Sequence, residues 1–196
     1  MKTLQIKEAI IFGWKSTTKN FWLFAAIVFT LLFISWITGF DSHAMRGSFL
    51  LSIVGMLASV YIRLGFANIS LYAVDGKPLD FNQLFAVNNK FWMYLGTTVL
   101  FMIAVTLGSI LLIVPGIIIA LMWMMYPYIV LEKNMSIIDG LKESARITKG
   151  YKWQLFGFFV IVVLMNIVGA IPFGLGFFVS IPVSAVASAH MYRQLV

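Results

Sequence analysis

Arg63 is the one ionisable side chain that interrupts an otherwise apolar stretch, 14 residues after Phe49 and 11 before Val74. An arginine at the centre of a bilayer costs about 2.5–3.5 kcal/mol on insertion scales, so it needs a partner or an escape. No acidic residue lies inside an apolar stretch to pair with it. Asn68 and Asn166 are the candidate polar contacts, alongside backbone carbonyls, water or a lipid phosphate. Two readings follow. In one, Arg63 contacts an anion or lipid headgroup in an inward-facing cavity. In the other, its long stem carries the charge to the inner headgroups, because Ser48–Val74 is longer than one span requires.

Catalysis needs convergent nucleophiles, bases or metal ligands. The two histidines, His43 and His190, form no His-x-x-x-His or His-Glu pair and read as isolated loop and interface residues. All seven acidic residues, Glu8, Asp41, Asp75, Asp80, Glu132, Asp139 and Glu143, fall outside the apolar stretches, which argues against a carboxylate proton relay. There is no cysteine, hence no disulfide or thiolate chemistry. No phosphate-cradling Gly-x-x-x-x-Gly-Lys loop occurs. The segment Met122–Met125 reads as adaptable packing, since no second soft-ligand cluster accompanies it. The expectation is therefore no catalytic set, no metal site and no cofactor.

The elements that carry these residues are apolar. Of the 196 residues 61% are hydrophobic and 11% charged, against about 25% charged in a soluble domain. Phe21–Phe40 holds no charge; 91–131 runs 41 residues without one and 153–192 runs 40. A span needs about 20 residues, so each long run must fold back on itself. Pro115-Gly116 and the Pro172, Gly174, Gly176 cluster are the expected turns, with Pro127 and Pro182 kinking the returning helices. With Ser48–Val74 this reads as six spans: 21–40, 48–74, 92–114, 116–132, 153–171 and 175–192. The chain is read as one membrane domain with no cleavable leader. With the N-terminus inside, twelve Lys and Arg fall in inner segments and only Arg46 in an outer loop, which puts both termini in the cytoplasm. Trp22, Trp92 and Trp153 open the odd-numbered spans as interface anchors. The net charge of +7 flanks apolar segments and points to anionic headgroups on the cytoplasmic side, not to nucleic acid.

The chain also repeats. Ile6–Ile10 matches Ile137–Leu141, and Lys15, Thr17 and Trp22 fall in register with Arg146, Thr148 and Trp153. A shorter middle copy runs from Leu79–Asn89 into Phe91-Trp92. The expected fold is an all-α bundle of three units, about 3–74, 78–132 and 135–196, each an amphipathic interfacial helix followed by a membrane hairpin. Stripes at helical spacing are Ile6, Ile10, Trp14 and Thr17 in the first copy, and Ile137, Leu141, Ala145 and Thr148 in the third, on helices expected to lie flat in the inner interface. Ser136 and Asp139 form a capping box there and Gly150 ends the helix. These helices read as connectors packed on the bundle or as sensors of the inner leaflet.

The run Ile113-Val114-Pro115-Gly116-Ile117, with Tyr126, Leu131-Glu132, Gly140-Leu141-Lys142-x-Ser144, Lys149-Gly150, Phe156 and the closing Ala189-x-x-Tyr192-Arg193, resembles a prokaryotic family of small uncharacterised integral membrane proteins. That family is similar to the membrane domain attached to some glycerophosphoryl diester phosphodiesterases. The resemblance covers roughly residues 75–196 and implies an all-helical six-span fold. It implies no catalytic residue, and the soluble phosphodiesterase domain is not part of this sequence. The functional expectation is a non-enzymatic multi-pass protein of the prokaryotic inner membrane that handles or transports a lipid or small amphiphile. The alternative is a structural or interaction module that organises the inner leaflet or serves a larger membrane complex as an accessory subunit.

Overall fold

The computed structural model describes residues 3–40, 48–133, 135–171 and 174–196, so Pro172 and the loop holding His43 and Arg46 lie outside the described residues. The described chain is helical throughout. The helices are α1 (Ile6–Lys19), α2 (Phe21–Phe40), α3 (Ser48–Val74), α4 (Phe91–Leu111), α5 (Ile113–Met122), α6 (Tyr126–Glu132), α7 (Ile137–Ile147), α8 (Lys152–Ala170) and α9 (Phe177–Leu195). Two short 3₁₀ turns, Phe81–Leu84 and Asn88–Lys90, stand between α3 and α4. Four stretches are long and apolar enough to cross a membrane: Ser52–Val74, Phe81–Ile110, Val114–Glu132 and Lys152–Ala170. The pair α1–α2, bent by 95°, would add a fifth.

The surface suits lipid. Large apolar side chains such as Phe29, Trp36, Val54, Ile110, Leu164 and Ile171 are exposed, more than a soluble protein tolerates. Trp22, Trp92 and Trp153 are each the second residue of their helix and are 84%, 74% and 85% exposed. Buried residues instead concentrate on α9, where Ser180, Val183, Val186, Ala187, Ala189, Met191 and Tyr192 all face protein. Its small, partly polar side chains let neighbouring backbones approach closely. That composition lowers its hydropathy, which is why α9 is not one of the four apolar stretches.

The helix α1 packs along α9. Gln194 Oε1 accepts from the Gln5 amide at 2.7 Å at one end. At the other, a Cβ on Gly13 would lie 2.6 Å from the Val183 carbonyl, so only glycine permits the approach. The face of α1 that packs on α9 is not the whole of the Ile6, Ile10, Trp14 and Thr17 stripe. The face buried is Ala9, Gly13 and Thr17, while Trp14 is exposed. Close packing on α9 selects the smallest residues, not the largest apolar ones.

Three local expectations change. The hairpin of the 91–131 run turns at Leu112, whose extended backbone (φ −161°, ψ 141°) separates α4 from α5. Pro115 and Gly116 belong to the first turn of α5, where a proline removes no helical hydrogen bond. Gly116 is there for space: a Cβ would sit 3.0 Å from the Ser109 Cα of α4. Second, Pro127 does more than kink its span. It is the second residue of α6, and the helix is broken over Trp123–Met125. The Tyr126 amide bonds the Trp123 carbonyl at 3.1 Å instead of reaching Met122. The freed Met122 carbonyl accepts from Ser144 Oγ at 2.9 Å and Thr148 Oγ1 at 3.1 Å. Broken backbone among apolar helices is tolerated where side chains satisfy it in this way. By contrast α9 runs unbroken through Pro182. Third, the segment expected as a short amphipathic helix over Leu79–Asn89 is the pair of 3₁₀ turns. Gly65 makes room for them against the Leu84 backbone, and Asn68 Nδ2 donates to the Gln83 carbonyl at 3.0 Å.

The helix α7 has its expected ends. Ser136 Oγ accepts from the Asp139 amide at 3.2 Å, and Gly150 takes a left-handed φ of 91° just past the helix. Its buried face is Gly140, Leu141, Ser144 and Ile147, with Thr148 beside them, so Ile137 and Ala145 are only half-buried. At the α8–α9 hairpin Gly174 has φ 78°, and a Cβ on Gly176 would lie 2.5 Å from the Gly169 Cα. Glycine at both positions lets α8 and α9 meet.

Candidate functional site

Arg63 opens into a cavity of about 420 Å³, partly open, formed between α2, α3, α4, α6 and α9. The helix α3 brings Arg63, Phe66 and Ala67 to it. Tyr94 comes from α4, Pro127 and Tyr128 from α6, and Ser184, Ala185 and Ser188 from α9. The break at Trp123–Met125 matters here, because it starts α6 afresh and puts Tyr128 in the wall. Tyr128 Oη donates to the Ala185 carbonyl at 3.2 Å, tying α6 to α9 behind the cavity. The serine hydroxyls donate within their own helix, Ser184 to the Ser180 carbonyl at 2.6 Å and Ser188 to the Ser184 carbonyl at 2.7 Å. Ser184 Oγ also accepts from Asn166 Nδ2 at 3.0 Å, which leaves it one lone pair.

Arg63 itself is exposed into this space. Among the described residues no carboxylate lies within ion-pair distance of it, since the ion pairs are those of Lys77, Lys133, Arg146 and Arg193. The lining therefore combines one guanidinium and a few hydroxyls with otherwise apolar walls. The lining holds no histidine or carboxylate to act as a base.

The other two candidate contacts do not reach Arg63. Asn68 holds the 3₁₀ turn through its bond to Gln83. Asn166 clamps α8 to α9: its Nδ2 donates to Ser184 Oγ at 3.0 Å and its Oδ1 accepts from Ser180 Oγ at 2.9 Å. It touches the cavity only through Ser184. The interface tryptophans and the turn residues Pro115, Gly116, Gly174 and Gly176 lie away from it, while Pro127 lines it. His190 stands 3.0 Å from Gln194 Nε2 through its Nδ1 and 5.1 Å from the Phe12 ring, a packed interface residue.

Compared with family models, curated proteins and solved structures, the chain matches none. None of these comparisons links the chain to a phosphodiesterase-associated membrane domain.

Sequence reasoning missed a polar cluster where three helix ends meet. Arg193 bonds Asp75 through Nε and Nη2, both at 2.8 Å, and Glu132 through Nη2 at 2.6 Å. Tyr192 Oη donates to Glu132 at 2.7 Å. A second tie joins α6 to α7, where Glu143 takes Lys133 at 2.6 Å and Arg146 at 2.6 Å. Hydrogen bonds from Arg146 and then Lys133 hold the Glu143 carboxyl down at about 2. The signal was present in the sequence, for Asp75, Glu132 and Arg193 each close an apolar run, but spacing alone does not say which ends meet.

Proposed function

We propose that this chain is a non-enzymatic multi-pass protein of a prokaryotic cytoplasmic membrane, with six spans and both termini inside, that takes the anionic head of a lipid or small amphiphile into the Arg63 cavity. The observation that carries the reading is the cavity itself: about 420 Å³, mostly apolar, with one guanidinium that no described carboxylate neutralises. The twelve-to-one bias of Lys and Arg supports the orientation. The burial of α9 supports counting it as a span that protein, not lipid, surrounds. The motif similarity to a phosphodiesterase-associated membrane domain agrees with this reading without supplying an activity.

The test is reconstitution into vesicles with a fluorescent anionic phospholipid, measuring both retention and movement between leaflets. Losing a charge-assisted contact costs about 1.5–3 kcal/mol, so Arg63→Leu should weaken anionic lipid binding about tenfold or more, and Arg63→Lys should weaken it less. Equal binding and flux in wild type and Arg63→Leu would remove the cavity from the mechanism.

A second reading is a scaffold or accessory subunit of a membrane complex. It is favoured by the ties that fix the helix ends, Leu4 to Gln154 at 2.9 Å, Gln5 to Gln194 at 2.7 Å and Arg193 to Asp75 at 2.8 Å. Crosslinking in native membranes separates the two, since a scaffold keeps its partner when Arg63 is removed.

A further inference from the structure

A second, smaller cavity of about 310 Å³ lies far from the first in character, at the 95° bend between α1 and α2. Lys15 and Lys19 line it from the last turns of α1, four residues apart and so on one face. Lys77 reaches it from the turn that follows α3. Gly76 shapes that turn with a left-handed φ of 68°, and the Lys77 amide closes it by bonding the Tyr72 carbonyl at 3.0 Å. The Lys77 ammonium is steadied over the Tyr72 ring at 5.0 Å from its centroid. Phe12, Ala73 and Leu79 supply an apolar floor, and Ser16 and Asn20 a polar edge.

Lys15, Lys19 and Lys77 bring three positive charges to the lining of one space, which favours a negative group there. Asp75, the carboxylate beside Lys77, neutralises this poorly. It is held by two 2.8 Å bonds to Arg193, and its contact with Lys77 is long at 3.6 Å. Neither Lys15 nor Lys19 has a carboxylate within ion-pair distance among the described residues. Trp22, 84% exposed, stands two residues beyond Asn20, so the cavity lies at the level of an amphipathic anchor. An apolar floor under a triad of lysines at that level suits an ester with a charged head and a greasy tail better than a fully hydrated ion.

We propose that the cavity at the α1–α2 bend, built by Lys15, Lys19 and Lys77, binds a phosphate-ester anion. Lysines act here as point charges that a phosphate can bridge, without the planar fork of arginine. The site is separate from Arg63 and shares no lining residue with that cavity. The same chemistry could come from a phospholipid headgroup or from a free phosphate compound, and the experiment distinguishes them.

The full chain is incorporated into phosphatidylcholine nanodiscs with and without phosphatidylglycerol, and retained lipid is counted by native mass spectrometry. Each lysine near an anionic head is worth about fivefold in affinity, so Lys15→Gln/Lys19→Gln/Lys77→Gln should reduce phosphatidylglycerol retention by roughly tenfold or more, allowing for the part of Lys77 that Asp75 neutralises. A control, Lys142→Gln/Lys149→Gln/Lys152→Gln, removes the same charge outside the cavity and should reduce retention several-fold less than the cavity variant. The charge-keeping Lys15→Arg/Lys19→Arg/Lys77→Arg should retain the lipid, and circular dichroism should show all variants helical. Calorimetry with pyrophosphate in detergent identifies the source: binding lost in the Gln triple variant marks a free phosphate compound, and no pyrophosphate binding with lipid retained marks the headgroup. Equal losses in the pocket and control variants, or no loss in the pocket variant, would overturn the proposal.

Discussion

Asn166 separates a ligand role from a packing role. It sits half-buried on α8 and makes two bonds to α9, to Ser184 Oγ at 3.0 Å and from Ser180 Oγ at 2.9 Å. Its Nδ2 also bonds its own helix at the Val162 carbonyl, at 2.8 Å, so the side chain is fully engaged. Replacement by leucine removes both interhelical bonds. Such bonds between membrane helices average about 0.6 kcal/mol, with a maximum of about 1.7. Two of them total about 1.2 kcal/mol. Ser184 keeps its bond to the Ser180 carbonyl at 2.6 Å, so its hydroxyl is not orphaned. Apolar surface gained against lipid returns a few tenths, and the expected net loss for Asn166→Leu is about 1 kcal/mol. The assay is reversible unfolding in mixed micelles titrated with sodium dodecyl sulfate, followed by circular dichroism. A double-mutant cycle with Ser180→Ala should report a coupling of about 0.6 kcal/mol, because these two groups share one bond. Anionic lipid retention should be unchanged. Zero coupling would refute the clamp. A variant of unaltered stability that lost lipid would make Asn166 a ligand contact and refute the reasoning altogether.

Other outcomes follow from the same geometry. The Met122 carbonyl has two side-chain donors, so Ser144→Ala alone should cost little. Removing both with Thr148→Val orphans a carbonyl and should cost about 1–3 kcal/mol, far from additive, in the same unfolding titration. The Glu143 carboxyl titrates near 2 when folded, below its ordinary 4.5. Its stabilisation is therefore complete above pH about 4.5 and is lost as pH falls towards 2. Glu143→Gln should flatten the fall in unfolding midpoint over that window, by an amount corresponding to about 1 kcal/mol or less for a partly exposed network. Because the chain has no cysteine, single cysteines report topology directly. With six spans and both termini inside, a membrane-impermeant maleimide should label His43→Cys and Leu175→Cys in intact cells, and spare Lys77→Cys and Lys149→Cys. Labelling of Lys77→Cys would overturn the proposed topology.

What composition could reveal was the solvent, and with it the helices. The charge-free run Phe21–Phe40 located α2, and the apolar stretch Ser48–Val74, interrupted by Arg63, located α3, both at the bounds the structure has, because only a closed ladder of backbone bonds survives in hydrocarbon. The turn residues were harder to place, since proline and glycine serve two purposes. Pro115 opens a helix and Gly116 permits contact, so the actual pivot fell on Leu112, whose type carries no turn signal. The packed face of α1 was not legible in the sequence for a related reason. In water a helix buries its largest apolar side chains, but beside α9 the driving force is close approach, and Gly13 outweighs Trp14. Arg63 stood out as a charge out of place. Its cavity could not be read from the sequence, since the walls come from five helices, and one of them, α6, has its register reset by a break that Ser144 and Thr148 make tolerable from elsewhere in the chain. A lone polar residue within an apolar run is therefore a good pointer to where a site lies. Whether it opens into a cavity, as Arg63 does, or staples helices, as Asn166 does, depends on what the neighbouring helices leave unpaired.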